Sequence, residues 1–204
     1  MKTLLMALIT CVISAQTVYR VTPGTTDNKI ILTVENSSDE SDMTGIKAAV
    51  SKQFSTFNFQ ISEQKIDRVE KHGSKEVEFA FDVNRIVDVN KTDTVRFLIN
   101  SNRGSWVKEI LIGYELPRDF KLEQNYPNPF NPSTTIEFSL PKEGKYVVRI
   151  FNILGEIVRT LDDKYFDAGY HKILFDATEL SSGVYFYALS GSKVNLVKKM
   201  ILIK

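Results

Sequence analysis

Hydrophobic residues recur at every second position over much of this 204-residue chain, and this alternation constrains the fold more than any other feature. Residues 77–81 and 136–140 are two clear examples. Successive side chains of a β-strand point to opposite faces of the sheet, so a period of two indicates strands with one buried face. Clusters of turn residues, such as the Asn-Ser-Ser-Asp run at 36–39, separate these stretches. The sequence therefore predicts an all-β protein.

The alternating runs fall into two groups that a proline-rich stretch separates. Short strands that recur at regular intervals favour two-sheet sandwiches, because each sheet must bury one face against the other. We predict two antiparallel, immunoglobulin-like β-sandwiches in tandem. The first, with about seven predicted strands, occupies residues 16–116, and a proline-rich linker and entry segment follows at 117–133. The second sandwich, with six predicted strands, occupies 134–204.

Residues 46–57 fit two patterns. Apolar side chains at positions 46, 49, 50, 54 and 57 are also spaced as on one face of a helix. Ser51, Ser55 and Thr56 are poor residues for a helix interior, because their hydroxyl groups compete for backbone hydrogen bonds. We predict a strand here, with a helix as the alternative.

The first 15 residues predict a secretory signal peptide. Lys2 precedes an apolar run at 4–13, and the small residues Ser14 and Ala15 follow it. The run is too short to span a bilayer, and no later stretch is long and apolar enough, so no transmembrane span is predicted. We place cleavage after Ala15; the alternatives are a buried first strand or helix, and a lipoprotein with Cys11 as the lipidated residue.

Charge and composition exclude several classes of protein. Lys and Arg number 26 against 25 Asp and Glu, which leaves no positive excess for nucleic-acid binding. One cysteine and two histidines, His72 and His171, allow neither a disulfide scaffold nor a zinc or haem site. No Gly-x-Ser-x-Gly motif for a nucleophilic serine occurs. We therefore predict no catalytic residue, cofactor or metal, and no enzyme.

Two local features carry alternative functions. Asp82, Asp88, Asn90 and Asp93 could supply calcium ligands, but Asp93 stands where an EF-hand loop needs glycine, so turn formation is the preferred interpretation. Trp106 could form a sugar-binding platform, although a core position is the commoner role of tryptophan in a sandwich.

The C-terminal half carries four motifs in a defined order. They are a Tyr-Pro-Asn-Pro-Phe-Asn-Pro run within residues 122–136, an Asn-Ile-Leu-Gly turn within 152–158, a loop ending in Ser-Ser-Gly-Val-Tyr at 176–185, and a basic then apolar strand at 198–204. Together they resemble the type A C-terminal sorting domain of the type IX secretion system. The N-terminal half resembles bacterial immunoglobulin-like surface modules only in its general pattern.

The sorting-domain resemblance implies a route of export. Family members cross the inner membrane with a signal peptide, and a translocon that reads this domain carries them across the outer membrane. A sortase often removes the domain, and the cargo is released or attached to surface lipopolysaccharide. We therefore expect a secreted or cell-surface, non-enzymatic protein whose partners are the translocon and sortase, with lipopolysaccharide or a glycan as a further partner. The alternative is a tandem adhesion, assembly or carbohydrate-binding protein that retains its C-terminal domain.

Eight residues are the predicted recognition residues for sorting: Pro127, Asn128, Pro129, Gly183, Tyr185, Lys198, Lys199 and Lys204. Glycine would supply backbone freedom and tyrosine an amphipathic anchor. The alternation predicts that Lys199 and Ile201 share one face of the last strand, and Met200 and Leu202 the other. We expect the edge of this strand to accept a partner strand. Residues 192–204 carry four lysines and no acid, which would steer an acidic partner or protect the edge from aggregation.

Overall fold

The alternating segments form strands throughout the computed structural model, which describes residues 4–9, 17–52 and 54–204. It contains sixteen strands, and no residue in the described ranges is helical. The chain divides into two units, which we call the N-terminal domain (Met1–Glu115) and the C-terminal domain (Leu116–Lys204). The prediction of an all-β fold is confirmed.

The N-terminal domain pairs a four-stranded sheet, in the order β1-β3-β7-β5, with a five-stranded sheet, in the order β2-β9-β8-β4-β6. Most neighbouring strands are antiparallel, but β1 pairs with β3, and β2 with β9, in parallel. The bounds are β1 Leu4–Ile9, β2 Val18–Val21, β3 Asn28–Glu35, β4 Met43–Lys52, β5 Phe57–Phe59, β6 Glu63–Val69, β7 Ser74–Val83, β8 Thr92–Ser101 and β9 Gly104–Tyr114.

Two sequence-based predictions fall in this domain. The helix considered for residues 46–57 is wrong, because β4 and β5 occupy this stretch. Strand β1 lies inside the predicted signal peptide and runs alongside β3, with Leu4 opposite Lys29. Cys11 and the predicted cleavage position after Ala15 lie outside the described residues, so the signal peptide stays a prediction.

The alternation of the N-terminal strands builds one core between the two sheets. Every second residue of β3 is buried. Strands β7 and β8 alternate in the same way, and their buried positions include phenylalanine rings. The rings of Phe79 and Phe97, one from each sheet, lie 4.9 Å apart. Burial of such apolar surface is the main source of stability in a domain without disulfides.

The C-terminal domain is a smaller sandwich. A three-stranded sheet, in the order β10-β11-β14, packs against a four-stranded sheet, in the order β13-β12-β15-β16. The six strands predicted from the alternation are all present, and β10 is an additional short strand. The bounds are β10 Lys121–Leu122, β11 Ser133–Leu140, β12 Gly144–Phe151, β13 Ile157–Phe166, β14 Gly169–Asp176, β15 Gly183–Gly191 and β16 Val194–Leu202.

The stretch that was predicted to be a linker at 117–133 is built into the C-terminal domain. Leu122 and Phe130 belong to the core of that domain, together with Ile136 and Phe138 of β11 and Val148 of β12. Leu122 also pairs with Phe138 in the first sheet. The proline-rich stretch therefore contributes to folding, and it is not an extended spacer in front of the domain.

Gly191 at the end of β15 provides a test of packing in this core. The buried ring of Tyr146 lies over Gly191, so that an added Cβ would stand 2.5 Å from Tyr146 Cδ1. We expect Gly191→Ala to lower the free energy of unfolding of the C-terminal domain by about 1–3 kcal/mol, because the ring must move within a packed core. Hydrogen exchange of peptides from residues 116–204 of the full chain measures this change.

Gly183, at the other end of the same strand, is the matched control for Gly191. Its added Cβ would meet no atom closer than 3.9 Å, at Tyr185 Cε2. Gly183→Ala should therefore leave the exchange rates nearly unchanged. Equal effects of the two substitutions would contradict the packing of Tyr146 on Gly191.

Candidate recognition site

The proline-rich segment, residues 126–132, lies along the outer edge of the last strand, β16. The Phe130 amide donates to the Ile201 carbonyl and the Ile203 amide donates to the Phe130 carbonyl, each over 3.0 Å. The Asn128 side-chain oxygen accepts a hydrogen bond of 2.9 Å from the Ile201 amide. Two of the three bonds that precede a proline in this segment, Tyr126–Pro127 and Asn128–Pro129, are cis. The segment and the end of β16 thus form one hydrogen-bonded unit.

This unit overturns part of the expected docking mode. We expected the edge of the last strand to be open for a partner strand, but the backbone groups at Ile201 and Ile203 are already hydrogen-bonded within the domain. The Lys199 carbonyl likewise accepts a hydrogen bond of 2.8 Å from the Gln124 side chain. Strand addition at residues 199–203 is therefore wrong, because a new strand would have to displace these bonds.

A buried polar network holds the start of the proline-rich segment. Asn125 is buried, and its side-chain nitrogen donates to the Pro127 carbonyl over 2.9 Å and to the Thr134 hydroxyl over 3.0 Å. The Asn125 amide donates to the Tyr187 hydroxyl, which donates in turn to the Glu123 carbonyl over 2.7 Å. Burial raises the pKa of Tyr187 to about 12. Every member of the network is satisfied, as a buried polar cluster requires.

The loop between β14 and β15 meets the end of the chain. The Lys204 amide donates to the Ser182 hydroxyl over 3.0 Å, and its ammonium group donates to the Thr178 carbonyl. The hydroxyl and amide of Thr178 both donate to Asp176, and these bonds hold the pKa of that carboxyl below its ordinary value. The Tyr185 hydroxyl donates to the Ser181 carbonyl over 2.8 Å and closes the loop.

The turn between β12 and β13 presents two apolar side chains to solvent. The Gly155 amide donates to the Asn152 carbonyl over 3.1 Å, which is the four-residue turn predicted from the Asn-Ile-Leu-Gly run. Gly155 has φ +79°, a conformation that favours glycine. Ile153 and Leu154 at the tip of the turn are both exposed. An exposed apolar tip on a tightly hydrogen-bonded turn is a candidate contact point.

Strand pairing brings these four motifs to one end of the four-stranded sheet. Gly183 lies opposite Leu202, at the start of β15 and the end of β16. On the other side of β15, Phe151 lies opposite Phe186 and leads directly into the exposed turn. The proline-rich segment closes the same end through Leu202, which it pairs with at Phe130. The structure therefore gathers motifs that are up to about 80 residues apart in the chain.

The predicted recognition residues differ in their exposure and in their contacts. Pro127 and Pro129 are exposed on the surface of the proline-rich segment, beside Asn128. Tyr185 is not a free anchor, since it packs partly against the core and its hydroxyl is bonded to the loop. Gly183 does not adopt a left-handed conformation, and its role in sorting stays a prediction.

The lysines of the last strand lie on opposite faces. Met200 and Leu202 are buried, so that Lys198 is on the core side of the strand while Lys199 and Ile201 point away from the core, as the alternation predicted. Lys198 and Lys199 are both exposed. Lys204 is bonded to the loop instead of extending freely.

Sequence reasoning missed Asn125 and Tyr187 as site residues. Nothing in their local pattern marks them, because their partners lie about 60 residues apart in the chain. A signal was present for the outward-facing side chains of β15, where apolar residues occupy both sets of alternating positions. Such a strand is expected only where both faces of a sheet are covered.

Two of the carboxylates considered for calcium binding accept hydrogen bonds within the N-terminal domain. Asp93 accepts hydrogen bonds from Thr56, over 2.7 Å, and from Tyr114, while Asp82 accepts one from the amide of Asp27. Among the described residues, no group of three or more histidine, cysteine or carboxylate side chains could hold a metal ion. Trp106 is 37% exposed and lies outside the core, so the predicted core position is wrong.

Within the described part of the chain, no helix is long and apolar enough to cross a bilayer.

The part of the chain that carries the four motifs matches a known family. Residues 124–204 match the family described as "Secretion system C-terminal sorting domain". No curated protein matches the chain. Among solved structures, the dimeric latent PorU from Porphyromonas gingivalis is similar at 14% identity and a TM-score of 0.34; the match covers 93% of this chain and 19% of that one.

Two further solved structures show similarity over most of the chain. CBD12 from CALX1.2 has 9% identity and a TM-score of 0.34, with 85% of this chain and 77% of that chain covered. The extracellular domains 3–5 of Drosophila OTK have 12% identity and a TM-score of 0.40, with 93% and 63% covered. It is the family match, together with the four assembled motifs, that assigns the C-terminal domain to the type IX secretion system C-terminal sorting domains, which direct a protein to the cell surface or into the medium.

Proposed function

We propose that this chain is a non-enzymatic exported protein whose C-terminal domain is read as a folded tag by the outer-membrane translocon of the type IX system. The N-terminal domain is then the cargo, and the predicted signal peptide takes the chain across the inner membrane first. A sortase acts on the domain after passage.

One observation carries this proposal: four motifs from distant parts of the C-terminal domain assemble at one end of a single sheet. The Phe130 amide donates to the Ile201 carbonyl and the Asn128 side chain accepts from the Ile201 amide, and these bonds fix two of the motifs in one geometry. A translocon that must accept many cargoes needs a surface that depends on the tag alone. A surface built within one domain meets this requirement, because recognition is separated from the sequence of the cargo.

The polar groups of the N-terminal domain support a structural role for the cargo. The carboxylates of Asp82 and Asp93 accept hydrogen bonds that hold neighbouring strands and turns in place. Ion pairs such as Arg96–Glu109, over 2.6 Å, lie across neighbouring strands at the surface. These groups are engaged in strand and turn contacts, which is typical of binding or scaffold modules.

Removal of residues 116–204 tests the proposed function. In a bacterium with a type IX system, the full chain should reach the medium or the cell surface, and the truncated chain should accumulate in the periplasm. Fractionation followed by immunoblotting measures the distribution. Protease resistance of the periplasmic product shows whether the remaining domain is folded.

A fusion provides the reciprocal control. A reporter protein that carries residues 1–16 at its start and residues 116–204 at its end should be exported across both membranes. Normal export of the truncated chain would contradict the proposed function.

A further inference from the structure

The four-stranded sheet of the C-terminal domain has an apolar surface on the side that faces away from the core. Alternate residues of β12, β15 and β16 fill the core, and the others point outward. We use the term outer face for the outward residues nearest the four motifs together with Val147: Val147, Arg149, Phe151, Val184, Phe186, Ala188, Val197, Lys199 and Ile201. The rings of Phe151 and Phe186 are half-buried and Ala188 is buried. The outward residues Lys145, Ser190 and Asn195, toward the other end of the sheet, are polar. The outer face of a small antiparallel sandwich is normally polar, so an apolar one indicates a covered surface.

Strand register makes the outer face continuous. Phe151 of β12, Phe186 of β15 and Lys199 of β16 lie side by side in one row. Val184 and Ile201 lie opposite each other next to this row. None of these side chains is among those that pack against the core of the domain. Rings beside aliphatic side chains on adjacent strands form the kind of patch found at the centre of protein interfaces.

Two cations lie within this apolar surface. Arg149 and Lys199 belong to neighbouring rows, and neither has a carboxylate partner among the ion pairs of the described residues. The acid Asp163 lies opposite Val147 on the same side of the sheet, and it is already paired with Lys145 over 3.0 Å. The centre of the outer face is therefore positively charged without internal compensation, which complements a partner that carries carboxylates.

The occupied edge of β16 also favours the outer face as the surface of contact. The edge of β16 at residues 199–203 is occupied by the proline-rich segment and by Gln124, so a partner cannot pair there by adding a strand. A partner that approaches this end of the domain meets the outer face and the exposed Ile153 and Leu154 of the neighbouring turn. Contact through side chains is then the available mode of binding.

We propose that the outer face docks a protein of the export machinery whose matching surface presents apolar side chains around one or more carboxylates. A protein fits better than an anionic membrane, because membrane attachment by charge depends on a cluster of several cations, whereas this face has two that are set among aromatic rings. The inference rests on the proposed function, since the partner is taken to belong to the translocation route.

A pair of double variants of the full chain tests the outer face. Val197→Glu/Lys199→Glu places two acids on its exposed margin, where Val197 is 54% exposed. Leu174→Glu/Lys172→Glu makes the same changes, two residues apart, on the outward side of β14 in the other sheet, where Leu174 is 73% exposed. The two variants match in charge change and residue types, and both lie on edge strands, in different sheets. Because Lys172 lies opposite Glu137, the check of folding applies to the control variant as well.

We expect the outer-face variant to be secreted about tenfold less than the unmodified chain, with the remainder in the periplasm. The two introduced glutamates would repel the carboxylates of the partner at a place where the unmodified chain presents a lysine. The control variant should be secreted normally. Protease resistance and hydrogen exchange check that both are folded; if the double variant unfolds, Lys199→Glu alone, at an exposed position, is the deciding variant. Normal secretion of the folded outer-face variant would overturn the inference.

The outcomes separate this inference from the proposed function. If the truncated chain that lacks residues 116–204 is retained while the outer-face variant is secreted, the sorting role stands and the docking surface is wrong. If the truncated chain is secreted, the sorting role itself fails. Flotation of the purified full chain with vesicles of anionic phospholipid adds a third arm: binding that the outer-face variant loses would identify a membrane contact and overturn the protein partner.

Discussion

Replacing Phe130 with alanine is expected to lower the free energy of unfolding of the C-terminal domain by about 3–5 kcal/mol, the usual result of deleting a buried phenylalanine side chain. Phe130 is 2% exposed and its ring centre lies 6.1 Å from that of Phe175. Its backbone also bonds to Ile201 and Ile203, so the resulting cavity would loosen the proline-rich segment from the last strand. Small domains are stable by only about 5–15 kcal/mol, so this is a large fraction of the total.

Tyr126 is the matched control for Phe130. It is an aromatic residue of the same segment, but it is 83% exposed, so Tyr126→Ala should change the stability by no more than about 0.5 kcal/mol. Hydrogen exchange of peptides from β16 in the full chain measures both effects. The single tryptophan, Trp106, lies in the N-terminal domain, and its fluorescence during urea unfolding shows whether that domain is unchanged. Equal effects of the two substitutions would contradict the anchoring role of Phe130.

Replacing Asn125 with alanine should lower the free energy of unfolding of the same domain by about 3 kcal/mol, since three side-chain hydrogen bonds at about 1 kcal/mol each are lost inside the protein. The Asn125 side chain donates to Pro127 and Thr134, and it accepts a bond of 2.7 Å from Gln124. Faster hydrogen exchange over residues 121–136 and in β15 is the expected observation. The Tyr187 hydroxyl keeps its own bond to Glu123.

Two further variants separate hydrogen bonding from volume at Asn125. Asn125→Asp keeps the shape but directs a carboxylate oxygen at the Pro127 carbonyl, so at neutral pH it should destabilise the domain at least as much as alanine does. Asn131→Ala removes an exposed asparagine from the same segment and should have almost no effect. A stable Asn125→Asp protein would mean that the site needs only the volume of the side chain.

The covered edge of β16 has a consequence for both folding and recognition. A sheet edge with unpaired backbone groups invites pairing with other chains. Hydrogen bonds that the strand makes with Phe130, Asn128 and Gln124 remove that hazard over residues 199–203. The exposed lysines of the strand add charge to the same region. The domain can thus carry an apolar outer face and still avoid edge-to-edge pairing over these residues.

Some strands were easy to predict, whereas β6 and the two-residue β10 were not. The apolar residues of β12 and β15 alternate or cluster strongly enough to be identified, whereas β6 was missed because Ile66 and Val69 are its only apolar residues and lie three positions apart. Pairing with β4 in the register Ile46 to Ile66 creates this strand. The context of the sheet decided its conformation, as is common for segments with a weak local pattern.

The sequence by itself determined the all-β class, the six strands of the C-terminal sandwich and the facing of Met200 and Leu202 toward the core. These follow from the local geometry of a strand, which turns every second side chain to the same side. Tertiary structure alone decided that Phe130 and Asn128 cover the last strand, that Tyr146 lies on Gly191, and that an apolar outer face forms beside the assembled motifs. Those contacts join residues far apart in the chain, and no local pattern encodes which distant partner a strand, ring or amide will meet.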